Sequence, residues 1–569
     1  MIWEQHEPGN PEAVESLKTA LNIAQPLAEL LVQRGIHTFQ EAKDYFRPSL
    51  KSLHDPFLMK GMDTAVQRII RAIDNNESIL VYGDYDVDGT TSVALVYSYL
   101  KKLNTDTFAY IPDRYKEGYG LSYLGIDYAR EKKIGLIICL DCGIKAIEKV
   151  DYANKQGIDI IICDHHRPGE IVPEAHAILN PKQKDCDYPF KELCGCGIGF
   201  KLIQGLQRTL KQSEDEIWNY LDLVATAIGS DIVPIDGENR ILAYFGLEVL
   251  NTTPRPGFEA ILGLAKKKDL SITDVVFIIG PRINAAGRMK HGLHAVELLI
   301  EYDLVQARQM ARSIEDFNTE RKTTDREITE EALLQIQENK EEKNKTTVVY
   351  QETWHKGVIG IVASRLTETY YRPTLVFTKS GDYLAASARS VTGFDVYNAL
   401  QQCSDLIEQF GGHKYAAGLT LREENFADFK AKFEEVVAQS ITPDLLVRRQ
   451  TYNVEVALED ITPKFFRIVK QFAPFGPQNM KPVLRINGLQ DTGFARTVGK
   501  NDEHLKCKFC FGSNPKKIDA IGFGLGDKLH LLQGKKRVDV LFSLDENEWN
   551  GIKSLQFILK DLKPGAEMK

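Results

Sequence analysis

The sequence predicts an α/β protein built on a doubly wound, mainly parallel sheet. A second α/β domain is joined to it by a long helix, and a C-terminal β-barrel follows. Three observations carry this. Between residues 78 and 240, short apolar runs rich in β-branched residues alternate with helix-patterned stretches, the mark of βαβ units. Residues 299–342 consist largely of helix formers and are free of Gly and Pro. Beyond about residue 446 the chain turns to short β-rich runs separated by Gly, Asn and Lys.

Residues 1–75 read as a mostly helical segment punctuated by "FRPSL" and "LHDPF", with no visible chemistry. Residues 76–298 form the first domain. Its strand candidates are "SILVYG" (78–83), "TFAYIP" (107–112), "GLIICL" (135–140) and "IDIIIC" (158–163), with helix patterns at 91–103 and 145–156 between them. Such sheets bind ligands at the carboxyl ends of their strands. The helix of 299–342 links this domain to the next, 343–445, which opens on the strand "KTTVVYQ". Residues 446–569 carry "VLRINGLQ", "KIDAIGFG" and "KRVDVLFSL", the pattern of a small barrel.

Composition narrows the class. A chain of 569 residues with 43% hydrophobic content supports several cores. A net charge of −8 does not match a protein that coats DNA nonspecifically, though an acidic metal site and a basic groove can coexist. The start "MIWEQHEPGN" lacks a signal-peptide pattern, and no 18-residue apolar stretch offers a membrane span. Nine cysteines, many within apolar runs, read as reduced thiols of a cytoplasmic protein. The pairs Cys139/Cys142 and Cys507/Cys510 lack the second pair a zinc ribbon needs and read as buried thiols. The glycine-rich "GCGIGF" (195–200) has no strand directly before it and is a weak nucleotide-loop signal.

Four strand or helix ends deliver acids and imidazoles. "GDYDVDGTTS" places Asp84, Asp86 and Asp88 at alternate positions, which face one side of an extended chain. Three such carboxylates repel unless a cation neutralises them, although a capping turn accounts for them equally well in isolation. "GLIICLDCG" ends in Asp141, "IDIIICDHH" in Asp164, His165 and His166, and "AIGSDIVPID" supplies Asp231. Together they predict a metal site. Carboxylates with one or two imidazoles suit Mn²⁺ or Mg²⁺ better than zinc. Their abundance argues for two ions, about 3.5–4 Å apart and sharing a carboxylate. Adjacent residues on an extended segment point to opposite sides, which assigns His165 to metal and leaves His166 for the substrate.

These motifs carry a resemblance. "DYDVDG", "LDCG", "DHH" and the later Asp231 resemble the four motifs of the DHH phosphoesterase superfamily, and "GGHKYAAG" (411–418) resembles the glycine–histidine motif of its companion DHHA1 domain. "IPDRYKEGYGL", "GPRINAAGRM", "WHKGVIGIVASRL" and "SARS" are similar to motifs of its single-strand-specific exonuclease branch, over about residues 45–565. The resemblance implies an exonuclease dependent on two Mn²⁺ or Mg²⁺ ions. It would degrade single-stranded DNA 5′ to 3′ into mononucleotides during DNA repair and recombination. It implies Asp86, Asp88, Asp141, His165 and Asp231 as metal ligands, and Asp84 and His166 as essential catalytic neighbours. It further implies a pocket in the second domain formed by Ser387, Arg389, Gly411, Gly412 and His413, and an OB-fold at the C-terminus.

Phosphate chemistry also needs guanidinium groups. Arg114, Arg282 (with Asn284 beside it) and Arg389 stand in Gly- or Ser-containing loops and are the candidates. In the barrel, Lys506, Lys508, Lys516, Lys517, Lys535, Lys536 and Arg537 lie among Phe509, Phe511 and Phe523, the composition of a single-strand groove. The expected partners are single-stranded DNA, a helicase and a single-strand-binding protein, with the chain acting as a monomer. Two rival readings remain: a DHH phosphodiesterase of short oligonucleotides or cyclic dinucleotides, and a non-catalytic DNA-binding scaffold.

Overall fold

The computed structural model describes residues 1–103, 106–510, 516–549 and 551–565. The first domain is built on a five-stranded, all-parallel sheet. Its order is Thr107–Tyr110, Ile79–Gly83, Leu136–Leu140, Asp159–Cys163 and Ala177–Leu179. Strands covered on both faces need apolar residues at every position, which explains the unbroken runs in the sequence. Ile79 and Val81 enter the core on one face, Leu80 and Tyr82 that on the other. After Ile79–Gly83 the chain goes first to one side, Thr107–Tyr110, and then to the other, Leu136–Leu140. That reversal opens a crevice at the carboxyl ends of these strands.

The helix Leu304–Glu338 is 35 residues long, a rod of about 52 Å at 1.5 Å per residue. Asp303 caps it, accepting from Gln306 N at 2.8 Å. Ala307, Ala311 and Ile314 lie in the core of the first domain, whereas Ile328, Ala332 and Ile336 pack with Val349, Trp354 and Val362 of the second. One rod therefore carries both domains. The second domain holds a mostly antiparallel sheet in the order Gln409–His413, Ala416–Leu421, Tyr383–Arg389, Thr374–Ser380, Thr347–Tyr350. The C-terminal sheet has seven strands and closes through a pairing of Leu484–Asp491 with His504–Cys510, which makes it a barrel.

The N-terminal segment 1–75 divides between two cores. The helix Met62–Asp74 packs Met62, Val66 and Ile69 onto the parallel sheet. The strand Ile2–Gln5 instead pairs in parallel with Arg449–Tyr452. Val14, Leu17, Leu27, Leu30 and Leu31 share one core with Phe465, Ile486 and Leu562 of the barrel. The two ends of the chain thus form one body. A parallel pairing between residues 2 and 449 leaves no local trace in the sequence.

Candidate active site

The crevice is lined by the turns that leave the strands. Asp86 caps the helix Val87–Lys102, accepting from Gly89 N at 3.0 Å. A side chain at Gly89 would put its Cβ 2.4 Å from the Asp84 carbonyl oxygen, so the turn closes only around glycine. Asp88 is held from across the domain: Gly195 N donates to its Oδ2 at 2.6 Å and Cys196 N to its Oδ1 at 2.7 Å. These amides open the helix Gly195–Thr209, whose N-terminus favours a negative charge. This is the role of "GCGIGF": it seats a carboxylate, not a nucleotide. A Cβ on Gly195 would lie 2.6 Å from the Asp141 Cβ.

Asp141 adopts the left-handed conformation (φ 58°), uncommon for a residue with a Cβ and a mark of functional sites. Its carboxylate meets His165, whose Nε2 lies 3.2 Å from Asp141 Oδ1, 3.4 Å from Asp231 Oδ2 and 3.8 Å from Asp88 Oδ2. Two groups that could each hold an ion result among the described residues: Asp88, His165 and Asp231, and Asp141, His165 and His166. Asp84 and Asp86 fall outside both groups. Asp84 is buried beneath, accepting from Gly120 N at 3.2 Å.

Electrostatics at this crevice favours a cation. Burial, reinforced by Asp86, pushes Asp88 up to about 7 and Asp84 up to about 8. Burial and Asp88 lift Asp231 to about 8 and drive Asp141 well above the carboxylate range. Burial, then His166, lowers His165 to about 3, which leaves a neutral imidazole. Asp141 Oδ1, Asp84 Oδ2 and both ring nitrogens of His165 are buried with no hydrogen-bond partner among the described residues. Divalent cations satisfy such atoms and neutralise such carboxylates together, and an oxygen-rich set with imidazole fits Mn²⁺ or Mg²⁺.

His166 is oriented by two groups. Its Nδ1 lies 2.7 Å from Asp164 Oδ1 and its Nε2 3.2 Å from the hydroxyl of Tyr119. Burial opposes its charge, but the Asp164 carboxylate outweighs this and raises His166, while Asp164 itself is lowered. Tyr119 was not legible in advance. A tyrosine within "KEGYGL" gives no sign that its hydroxyl also reaches the Asp141 carbonyl oxygen, at 3.3 Å.

Arginines gather beside this group. Arg114 lies over the ring of Tyr85, the residue between Asp84 and Asp86, 4.7 Å from its centroid. Arg288 is half-buried and lowered to about 10, by desolvation and then by Arg114, Arg321 and Arg389. Arg288 donates to Gly357 O at 2.9 Å and Arg389 to Ala388 O at 2.8 Å, so their partners are carbonyls, not carboxylates. Such a gathering of guanidinium groups favours an anion. Sequence reasoning named Arg114 and Arg389 but missed Arg288 and Arg321. Two readings need correction. Arg389 ends the strand Tyr383–Arg389 instead of standing in a loop. Arg282 lies within the helix Gly280–Met289, and its Nε donates to Glu315 of the connecting helix at 2.5 Å. Arg282 is therefore tied to that helix, and Asn284, half-buried, sits two residues further on.

In the second domain, Gly411 pairs with Gly418 and Gly418 with Ser387, while His413 pairs with Ala416 and Ala416 with Arg389. Residues two apart share a face, so Ser387 and Arg389 lie in line with Gly411 and His413 across three strands. Gly412 is left-handed (φ 146°), and a Cβ there would lie 2.4 Å from Ala416 O. In the barrel, Phe509 is wholly buried and Phe523 is 60% exposed. Lys516 bonds to the Leu458 and Ile461 carbonyls and Lys508 pairs with Asp519 at 3.1 Å. Phe511 and the Lys535 side chain lie outside the described residues.

A parallel sheet whose strand ends converge on buried aspartates and a histidine pair defines a phosphoesterase of the DHH class. The "DHH family, N-terminal domain" profile matches residues 78–228, the "DHHA1 domain" 343–439 and the "RecJ OB domain" 452–561. The chain belongs to the RecJ family. It is 36% identical to the single-stranded-DNA-specific exonuclease RecJ of Bacillus subtilis, covering 99% of this chain and 70% of that protein. It is 32% identical to the Escherichia coli RecJ, covering 95% and 96%. The crystal structure of Thermus thermophilus RecJ in complex with Mn²⁺ matches with a TM-score of 0.85 at 26% identity, covering 100% of this chain and 80% of that one. The same protein with Mg²⁺ matches at 0.78.

Proposed function

We propose that this chain is a metal-dependent exonuclease that hydrolyses single-stranded DNA from its 5′ end and releases mononucleotides. The observation that carries the reading is the buried contact of His165 with Asp141, beside the Arg288 and Arg389 guanidinium groups, whose hydrogen-bond partners among the described residues are carbonyls. Asp86, Asp88, Asp141, His165 and Asp231 would hold the two ions. Bound there, the ions would supply the Lewis acidity that phosphodiester hydrolysis needs. Arg114 and Arg288 neutralise the phosphates entering the crevice, and Arg389 with Ser387 and His413 engages a terminal 5′-phosphate. Asp164 and Tyr119 hold the His166 ring towards the reacting phosphate.

Repair and recombination supply such a substrate. Single strands exist where duplex has been opened, which is the work of a helicase, and they are kept open by a single-strand-binding protein. We place the protein in the cytoplasm as a monomer, as expected of an enzyme that acts on chromosomal single strands. The barrel favours a polymer over a dinucleotide, because Arg496 and Lys506 sit side by side on paired strands with exposed Phe494 beneath the Arg496 guanidinium. The test is a time course on 3′-labelled oligonucleotides, single- and double-stranded, in Mn²⁺ and in chelator. Stepwise shortening from the 5′ end of single strands, only with metal, is the expected result. Equal attack on duplex, or turnover confined to dinucleotides, would overturn it.

A further inference from the structure

The loop that carries Asp231 is held from outside its own domain. Asp231 ends the helix Leu221–Ser230, and the next residue, Ile232, is left-handed (φ 60°) and 67% exposed. A β-branched side chain rarely adopts that conformation unless its surroundings impose it. Three residues on, Ile235 is buried, and its N–H donates to the Pro477 carbonyl oxygen at 2.8 Å. Pro477 belongs to a tight hairpin, 475–479, closed by reciprocal bonds between Gly476 and Asn479. The hairpin presses on the loop: a Cβ at Gly476 would lie 2.5 Å from Ile235 Cγ1.

The hairpin is itself fixed on all sides. The Asn479 side chain is 3% exposed and makes four bonds. Its amide donates to Phe472 O at 2.8 Å and Pro474 O at 2.7 Å, and its oxygen accepts from Arg34 Nε and Tyr45 Oη, both at 2.8 Å. Arg240, from the helix that follows the Asp231 loop, donates to Phe472 O at 2.9 Å and lies 3.8 Å over the Tyr45 ring. Three parts of the chain therefore lock together here: the N-terminal helices, the lead-in to the barrel and the first domain.

We propose that the 475–479 hairpin is a strut that positions Asp231 for its ion, with Gly476 and Asn479 as positioning residues. The body formed by the chain's two ends is then part of the metal site as well as a holder of DNA. This rests on the metal-site reading above.

The test is a calorimetric titration of Mn²⁺ into the full chain, with kinetics on a short 5′-phosphorylated strand. Gly476→Ala raises the Mn²⁺ Kd about tenfold, the scale of losing a group that orients a ligand, and leaves the KM for the strand unchanged. Adding Ile235→Ala removes the Cγ1 that the new methyl meets and restores the affinity. Should Gly476→Ala fail to fold by circular dichroism, Asn479→Ala decides by the same titration. Wild-type affinity in the folded variant, or no rescue by Ile235→Ala, overturns the strut. A wild-type chain that binds no Mn²⁺ overturns the metal-site reading instead, so the two failures are distinct.

Discussion

The Nε2 atom of His165 lies 3.2 Å from Oδ1 of Asp141, and neither atom makes a hydrogen bond among the described residues. Unpaired buried polar atoms are costly and rare. Two in contact, one on a neutral imidazole and one on a carboxyl group that burial resists ionising, mark a place built for a third charge.

The first prediction concerns Asp141→Asn. The substitution keeps the shape and removes the charge from one ligand group, so Mn²⁺ affinity and hydrolysis fall at least about a hundredfold, the upper end of what losing an outer partner costs. Circular dichroism should show an unchanged fold. Near-wild-type activity in Mn²⁺ would remove Asp141 from the site.

The second concerns pH in chelator. Asp84, Asp88 and Asp231 rise from 3.8 to about 8, 7 and 8 on folding. Between about pH 4 and 8 the folded chain then binds more protons than the unfolded one, so stability falls as pH rises and levels off above 8. Melting curves at pH 5.5 and 8 read this directly. Asp141→Asn, lacking one raised carboxyl group, should lose less over the window. Saturating Mn²⁺ should reverse the trend, because metal binds the deprotonated groups.

Much of this site was legible because several of its candidate ligands follow apolar runs, and a carboxylate at the end of a buried strand needs a reason. Asp141 and His165 were found that way, Asp88 by its alternation with Asp84 and Asp86, and Asp231 by its place after a helix-like stretch; the structure gathers the three acids around His165. Arg282 was misplaced because "GPRINAAGRM" opens on Gly-Pro, which reads as a loop, whereas Pro281 comes just after the π-turn Val275–Ile279 inside one continuous helical stretch from Ile272 to Met289. Tyr119 and Arg288 were missed because their roles depend on partners 47 and 69 positions away. The body formed by the chain's two ends was missed for the same reason. Its seam is a tertiary event between residues that no periodicity links.

The third prediction separates the two arginines. Arg389→Ala should lose about tenfold to a hundredfold in kcat/KM on 5′-phosphorylated strands, the scale of a hydrogen bond to a charged group at about 1.5–3 kcal/mol. Strands with a 5′-hydroxyl should lose much less. Arg282→Ala should lower the melting temperature through its Glu315 contact and leave the end preference intact. Equal losses on both ends in Arg389→Ala would mean that it does not read the terminus.

The fourth concerns Tyr119→Phe. Only the hydroxyl that meets His166 Nε2 and the Asp141 carbonyl is removed, so kcat should drop about tenfold, the net value of one such bond. Mn²⁺ affinity should hold. A fall in affinity with kcat preserved would place Tyr119 among the groups that shape the metal site instead.

The last prediction concerns the barrel. Deleting everything after residue 445 is a poor test, because Leu17, Leu27, Leu30 and Leu31, all at most 1% exposed, would lose the core they share with it. Substituting Arg496 and Lys506 together by alanine leaves that core alone. These two residues pair across adjacent strands, and Arg496 lies over the exposed Phe494 ring at 4.9 Å. Each phosphate contact on a single strand contributes about 0.7 to the slope of log K against log salt. Removing two should flatten the slope by about 1.4 on a long strand. Turnover of a strand too short to reach the barrel should stay near wild type, since neither residue touches the metal ligands. An unchanged slope would take this face of the barrel out of the DNA path.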